Sequence, residues 1–327
     1  VSQVSFRELQ PAKGEQARGI IRVPGVEPTW EVPAVVIRGE QDGPTLVVTG
    51  GIHAAEYVSI EAVTQLSRWV DPKRLRGTLI AVLIVNTPGF FAHSIYVNPI
   101  DNKNIRFPGD PNGTASEKVA HFLATELIDG ADAYIDAHCG DMIEALVPFT
   151  LWAKVDDPDV SARAHAMAQV YGLERTLCAA NAVGSTYFEM AKRGVPGIVG
   201  EVGQQGICDK DLVKIHLRGM QNVMAHLGMI DPLGPPPAPP RELAGMAWTR
   251  SSVAGTYHPA VAVGDLVKKG QVTGELHDLF GETIEVHQAL ADGEVIFLVT
   301  ALAVAEGGPL LGIATYDAAD NKSPDHD

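Results

Sequence analysis

Four short apolar runs, each cut off by a turn signal, place the narrowest limit on how this 327-residue chain folds. They lie at residues 45–49, 78–85, 133–136 and 197–200. The first runs into Gly50-Gly51 and the second into Asn86-Thr87-Pro88. Runs this short and this rich in β-branched residues read as buried strands. Helical periodicity fills the intervals, at 60–70, 117–128, 161–171 and 212–227. In the second of these, Val119, Phe122, Leu123 and Leu127 fall on roughly one face. Strands alternating with helices predict an α/β fold, a mixed sheet with helices on both faces. Ligands in such sheets sit beyond the carboxyl ends of the strands.

The chain divides at Asp231-Pro232-Leu233-Gly234-Pro235-Pro236-Pro237-Ala238-Pro239-Pro240, a stiff extended linker. This predicts a catalytic domain over 1–230, a linker over 231–240 and a β-rich domain over 241–327. The last part carries no convincing helix and looks duplicated. Val253-Ala254-Gly255-Thr256 followed by Val263-Gly264-Asp265-Leu266-Val267 recurs as Leu290-Ala291-Asp292-Gly293-Glu294 followed by residues 304–310. Two such copies predict a small all-β barrel of two similar halves. Residues 318–327 are polar and are expected to fray.

Three motifs follow strand ends. In Gly50-Gly51-Ile52-His53-Ala54-Ala55-Glu56, a spacing of three puts His53 and Glu56 on one side of a helical turn. An imidazole and a carboxylate so placed suit zinc, whose catalytic sites often use two His and one Glu. The plainer alternative is a carboxylate serving the first helical turn beside a surface histidine. In Tyr134-Ile135-Asp136-Ala137-His138-Cys139-Gly140-Asp141, a strand delivers His138 to its carboxyl end, and a flanking aspartate can fix the imidazole tautomer. Cys139 is expected to be a buried, inert thiol, because neighbours on a strand face opposite ways. In Val199-Gly200-Glu201-Val202-Gly203, burial would raise the carboxyl pKa toward that of a general base. A salt-bridged strand end is the alternative. A fourth segment, residues 101–109, offers Arg106 as a bidentate carboxylate grip, with Asn104 as a further donor. A loop held by Asx turns is its plainer reading. His165, His216 and His226 fall on helical patterns and are expected at or near the surface. His93, His121, His277, His287 and His326 lie in no metal-like cluster, and His258 stands beside Tyr257 and Pro259.

A net charge of −15 argues against nucleic acid or an anionic membrane as partner, since either attracts basic patches. No run of 18 apolar residues suggests a membrane span. Residues 1–10 lack a basic region followed by an apolar run, so no signal peptide is expected. Three cysteines make no disulfide framework and fit a reducing, cytoplasmic setting.

Taken in order, the motifs resemble the succinylglutamate desuccinylase/aspartoacylase family of zinc carboxypeptidase-like hydrolases, over residues 45 to 316 or so. Residues 51–56 are similar to the family's first metal motif, His138 to its third ligand, and Glu201 in Gly200-Glu201-Val202-Gly203 to its catalytic glutamate. Residues 86–90 and 101–109 look like the segment that binds a substrate carboxylate. Two departures stand out. The family's Asn-Leu-Asn-Arg-x-Phe-Pro-Gly is shortened by two residues here, which leaves its second Asn without an equivalent. An arginine about ten residues after the Asn-Pro start is also missing from His93-Ser94-Ile95-Tyr96, so the usual oxyanion helper is absent or replaced. The C-terminal part resembles the barrel-sandwich hybrid of biotinyl and lipoyl domains through residues 264–271. The hairpin near 277–285 has no carrier lysine, so a tethered cofactor is not expected. Such a module covers an active site or builds a homo-oligomer.

The resemblance implies one Zn2+ held by His53, Glu56 and His138, a water at its fourth position, and Glu201 as general base and acid. Arg106, with Asn104, would orient a small-molecule N-acyl amino acid. Two rivals remain. A peptide-cutting metallocarboxypeptidase is disfavoured by the covering domain. A non-catalytic metal or ligand binder is disfavoured by the retained Glu201.

Overall fold

The computed structural model describes residues 3–4 and 6–316; the expected frayed tail and His326 lie outside the described residues. The four apolar runs become the strands Gln41–Gly50, Arg76–Val82, Ala133–His138 and Gly197–Glu201, and all four are parallel neighbours. They form the middle of a ten-stranded mixed sheet. Along Gln41–Gly50, Val47 faces one core while Leu46 and Val48 face the other, and all three are fully buried. Burial on both faces explains why these strands read as continuous apolar runs.

One core lies under the helix Ala115–Phe122, its π-helical continuation Leu123–Ile128 and the short helix Thr186–Ala191. The other lies under Tyr57–Trp69, Pro158–Val170 and Lys210–His226. The side chains of Asp157 and Asp209 accept the first free N–H groups of the last two helices, which fixes their starts. Helices therefore cover both faces, as the sequence predicts.

Register sets up the carboxyl edge of the sheet. Gly50, Ala137 and Gly200 lie side by side, and His138 pairs with Glu201. The backbone turns sharply at Gly51, whose φ of 68° suits a residue without Cβ. Behind this edge, Tyr171 is wedged between Gly200 and Gly219; a Cβ on either glycine would lie within 2.6 Å of the phenol ring or its oxygen.

Residues 241–316 form strands only. Gly245–Arg250, Pro309–Thr315, Gly293–Val299 and Leu266–Val267 pair in one sheet, and Thr283–Gln288, Val272–His277, Gly255–Pro259 and Ala303–Val304 in another. Both sheets are open, so the expected barrel does not close through strand pairing. Two strands cross between the sheet systems. Glu144–Leu146 pairs with Gly293–Val299, and Arg241–Leu243 extends the large sheet beside Arg175–Ala179. An ion pair spans the same seam: the half-buried Arg175 donates to both oxygens of the buried Glu294 at 2.9 and 2.6 Å.

Candidate metal centre

His53 and Glu56 are presented in the tight turn between the strand Gln41–Gly50 and the helix Tyr57–Trp69, one step before helical geometry begins. The expected helical turn thus lies just downstream of the motif. Glu56 occupies the position that caps this helix, yet its side chain makes no cap hydrogen bond. Its carboxylate points instead to the carboxyl edge of the sheet. There Oε1 lies 2.6 Å from His53 Nδ1 and Oε2 lies 3.0 Å from His138 Nδ1. The Cys139 backbone N–H also donates to Oε2, at 3.0 Å.

The donor set suits a divalent cation. One ligand atom from each of His53, Glu56 and His138 lies within 4.8 Å of the others, and no second such cluster exists among the described residues. Each Nδ1 faces the carboxylate, so each Nε2 is free to meet an outer partner. For His138 that partner is Asp136 Oδ2, at 3.2 Å. Asp136 is itself held by Thr49, whose hydroxyl donates at 2.8 Å. For His53 it is the amide of Asn104, with Nδ2 at 3.4 Å, while Asn104 Oδ1 is buried and has no hydrogen-bond partner. If Nδ1 is the ligand atom, Nε2 carries the hydrogen and needs an acceptor. Half a turn of the Asn104 amide keeps its shape, places the orphaned oxygen against Nε2 and satisfies both groups.

Burial alone would push Glu56 up, but the adjacent imidazoles outweigh it and hold the carboxyl well below its ordinary range. Burial likewise disfavours charge on His138, and the carboxylates of Asp136 and Glu56 more than reverse this. The cluster thus draws positive charge inward, which a metal ion can supply in place of protons.

Glu201 stands beside His138 in register, on the neighbouring strand. Burial pushes its carboxyl up to about 8; the nearby His138 charge lowers it, while Glu56, Glu144 and Asp136 add to the rise. A carboxyl in this range can take up and return a proton near neutral pH.

These groups share one cavity of about 340 Å³, lined by His53, Asn104, Arg106, Asp136, His138 and Glu201 together with residues 182–187. Arg106 brings the cavity its one guanidinium, and no carboxylate among the described residues pairs with it. The loop that carries it is latched by Asp101, which accepts from Asn98, Lys103 and Ser116. The side-chain latch expected of that loop is present, and Arg106 is left without an ion pair among the described residues.

The sequence reading missed three contributors. The loop 182–186 walls the cavity, but its small residues carry no motif. Tyr96 stands edge-on to His53, with ring centroids 5.4 Å apart, and its hydroxyl donates to Glu144. His216, expected near the surface, is fully buried. Its Nδ1 lies 2.5 Å from the Tyr171 hydroxyl and its Nε2 lies 3.2 Å from the backbone oxygen of His138. Both ring nitrogens are satisfied by distant residues, which removes the penalty of burying them. His165 is half-buried and His226 exposed, as expected. Cys139 is buried, and burial pushes its thiol pKa well up, consistent with an inert role.

The fold and this cluster define an α/β protein with a candidate hydrolytic metal centre at the carboxyl edge of its sheet. Comparison with known proteins narrows that class. Residues 42–227 match the model of the succinylglutamate desuccinylase/aspartoacylase catalytic domain. The chain belongs to that family. It is 29% identical over 285 residues to the N-alpha-acetyl-L-2,4-diaminobutyric acid deacetylase of Halomonas elongata, covering 85% of this chain and 80% of the relative. A succinylglutamate desuccinylase/aspartoacylase structure from Rhodobacter sphaeroides superposes with a TM-score of 0.81 at 28% identity, over 92% of this chain and 95% of that one. The ectoine utilization protein EutE (DoeB) of Ruegeria pomeroyi, in a product-bound structure, shares the fold with a TM-score of 0.83 at 23% identity and the same coverage. No helix of the described residues is long and apolar enough to cross a membrane.

Proposed function

We propose that this protein hydrolyses the amide bond of a small N-acyl amino acid, with a zinc ion held by His53, Glu56 and His138. The observation that carries this reading is the convergence of His53 and His138 of that cluster, Glu201 and Arg106 on a single cavity, with Glu56 buried behind the two imidazoles. The deacetylase activity of the Halomonas elongata relative supports an acyl group as small as acetyl.

When bound, zinc would supply Lewis acidity, acidifying a water and polarising the acyl carbonyl. The remaining work falls to the chain. Asp136 and the Asn104 amide hold the outer nitrogens of the two imidazoles and so fix their tautomers. Glu201 takes the proton of the attacking water and returns it to the leaving nitrogen. Arg106 holds the substrate carboxylate and sets the distance from that carboxylate to the scissile bond. Asn104 borders the same cavity between His53 and Arg106 and is read as a further polar contact for the substrate. The C-terminal strands are read as a barrel-sandwich module without a carrier lysine, because the turn between Val272–His277 and Thr283–Gln288 holds none.

Metal analysis with a screen of N-acetyl, N-succinyl and N-formyl amino acids tests the activity. Arg106→Lys tests the substrate class. It is expected to cost about 1–3 kcal/mol in kcat/KM for a carboxylate substrate, and little when that carboxylate is replaced by a neutral amide. Equal losses on both substrates would take Arg106 out of carboxylate recognition. Cleavage of a peptide panel in preference to N-acyl amino acids would favour a carboxypeptidase instead.

A further inference from the structure

Arg106 is exposed and flexible by type, so something must aim it. Its guanidinium lies against residues 183–184. Nη2 donates to the Val183 carbonyl at 3.3 Å, and a Cβ built on Gly184 would stand 2.9 Å from Nη2, 3.0 Å from Nε and 3.3 Å from Cζ. The two loops are also joined through the backbone, where Phe107 N–H donates to Gly184 O at 2.9 Å. Gly184 has a φ of 90°, a conformation L side chains rarely adopt. Its N–H donates to Glu189 Oε1 at 3.1 Å, and the other oxygen of this buried carboxylate accepts from Lys192 at 2.9 Å.

From these contacts we infer that Gly184 is a positioning residue for substrate recognition: the Glu189-anchored Gly184 peptide is the seat that aims the Arg106 guanidinium into the cavity. The inference rests on Arg106 being the carboxylate-binding group. Two features separate it from simple loop maintenance. The atoms that a Gly184 side chain would displace belong to the guanidinium, so the side chain can yield without disturbing the fold. The same left-handed backbone recurs at Gly194, with a φ of 92°, where an added Cβ meets nothing within 4 Å. Gly194→Ala therefore reproduces the backbone cost of Gly184→Ala without touching Arg106.

The test compares Gly184→Ala, Gly194→Ala, Arg106→Ala and the Gly184→Ala/Arg106→Ala double variant, all metal-loaded. The probes are N-alpha-acetyl-L-2,4-diaminobutyric acid and its carboxamide. Gly184→Ala should raise KM for the acid about tenfold, the scale of one weakened charge-assisted contact, with kcat within about twofold and the carboxamide unaffected. Gly194→Ala should leave both constants near wild type. In the Arg106→Ala background, Gly184→Ala should add nothing. Crystal structures of the two alanine variants give a readout free of any substrate: Arg106 should leave the Val183 carbonyl in Gly184→Ala and keep it in Gly194→Ala. An unmoved guanidinium in Gly184→Ala, or an equal KM change in Gly194→Ala, overturns the inference. If Arg106→Ala does not discriminate acid from carboxamide, or if the acid is not a substrate, the reading of the site fails instead, and the crystal structures still decide the positioning role.

Discussion

Replacing Asp136 by asparagine keeps its shape and removes its charge, which isolates what the carboxylate does for His138. Asp136 is 2% exposed, so solvent does little to screen it. Its Oδ2 lies 3.2 Å from His138 Nε2, and its Oδ1 accepts from Thr49 at 2.8 Å. Asparagine can turn its oxygen to His138 and its amide to the Thr49 hydroxyl, so the hydrogen bond survives and only its charge assistance is lost. Charged acceptors contribute about 1.5–3 kcal/mol and neutral ones about 0.5–1.5. The difference, with a separation at the long end of the N–H···O range, is about 1 kcal/mol or slightly more, hence roughly a five- to tenfold loss of metal affinity. Asp136→Ala loses the bond as well and should approach about a hundredfold, the upper end for such outer partners. Competition of each apo variant against a chromophoric chelator measures both steps, with apo thermal stability as the control for folding. Metal affinities within about threefold of wild type in both folded variants would show that His138 needs no outer carboxylate, and would refute the reasoning.

Two further outcomes follow from the geometry. Glu201→Gln should keep its metal and lose roughly 10²-fold or more in kcat, measured on whichever N-acyl amino acid the screen selects; near-normal turnover would remove Glu201 from the proton path. Glu294→Gln should destabilise the protein by about 1–3 kcal/mol at neutral pH, because it leaves the half-buried Arg175 with a neutral acceptor and only the exposed Glu174 as counter-charge. Burial raises the Glu294 carboxyl, but the hydrogen bonds from Arg175 and Tyr316, with the charges of Arg175 and Arg241, win and hold it below its ordinary value. Its contribution is therefore present above the unfolded carboxyl pKa near 4.5 and fades as pH falls through the lower folded value. Chemical denaturation of both proteins across that window should show their stabilities converging toward acid, and a constant gap would rule the ion pair out as the cause.

The parts of the fold that were legible in sequence share one physical condition. The four central strands are buried on both faces, so they appear as uninterrupted apolar runs, and the candidate site residues sit at their carboxyl ends or in the turn just after. The hairpin Glu15–Arg22 and Glu31–Arg38 was not recognised. In the first of these strands exposed and buried residues mix, and the second is broken by Pro33. The helices Thr87–Ala92 and Thr186–Ala191 are six residues each, too short to show a period. His53, Glu56 and His138 could be found because local spacing and strand ends bring them forward. His216 could not, since what buries it is Tyr171, 45 residues earlier, and a backbone oxygen 78 residues earlier. Glycine 184 was equally silent, because its role depends on a guanidinium supplied by another loop.

The crossing strands give the molecule a seam that does not coincide with its prolines. The first 230 residues lend Glu144–Leu146 to the edge of the C-terminal sheet, and the segment after the linker lends Arg241–Leu243 to the edge of the large one. Ala145 and Leu243 carry the exchange into the packing: Ala145 joins the C-terminal core, and Leu243 packs with Phe149, Ile296 and Ala314. Severing the chain at residues 231–240 would therefore bare an unpaired strand edge on each half, and such edges recruit other chains. The two halves are better regarded as reciprocal templates than as beads on a string. Swapping the C-terminal module between relatives would demand that the host sheet accept the donor's 241–243 and that the donor sheet accept the host's 144–146. Any drift in one edge must be met by its counterpart across the seam, far off in the chain.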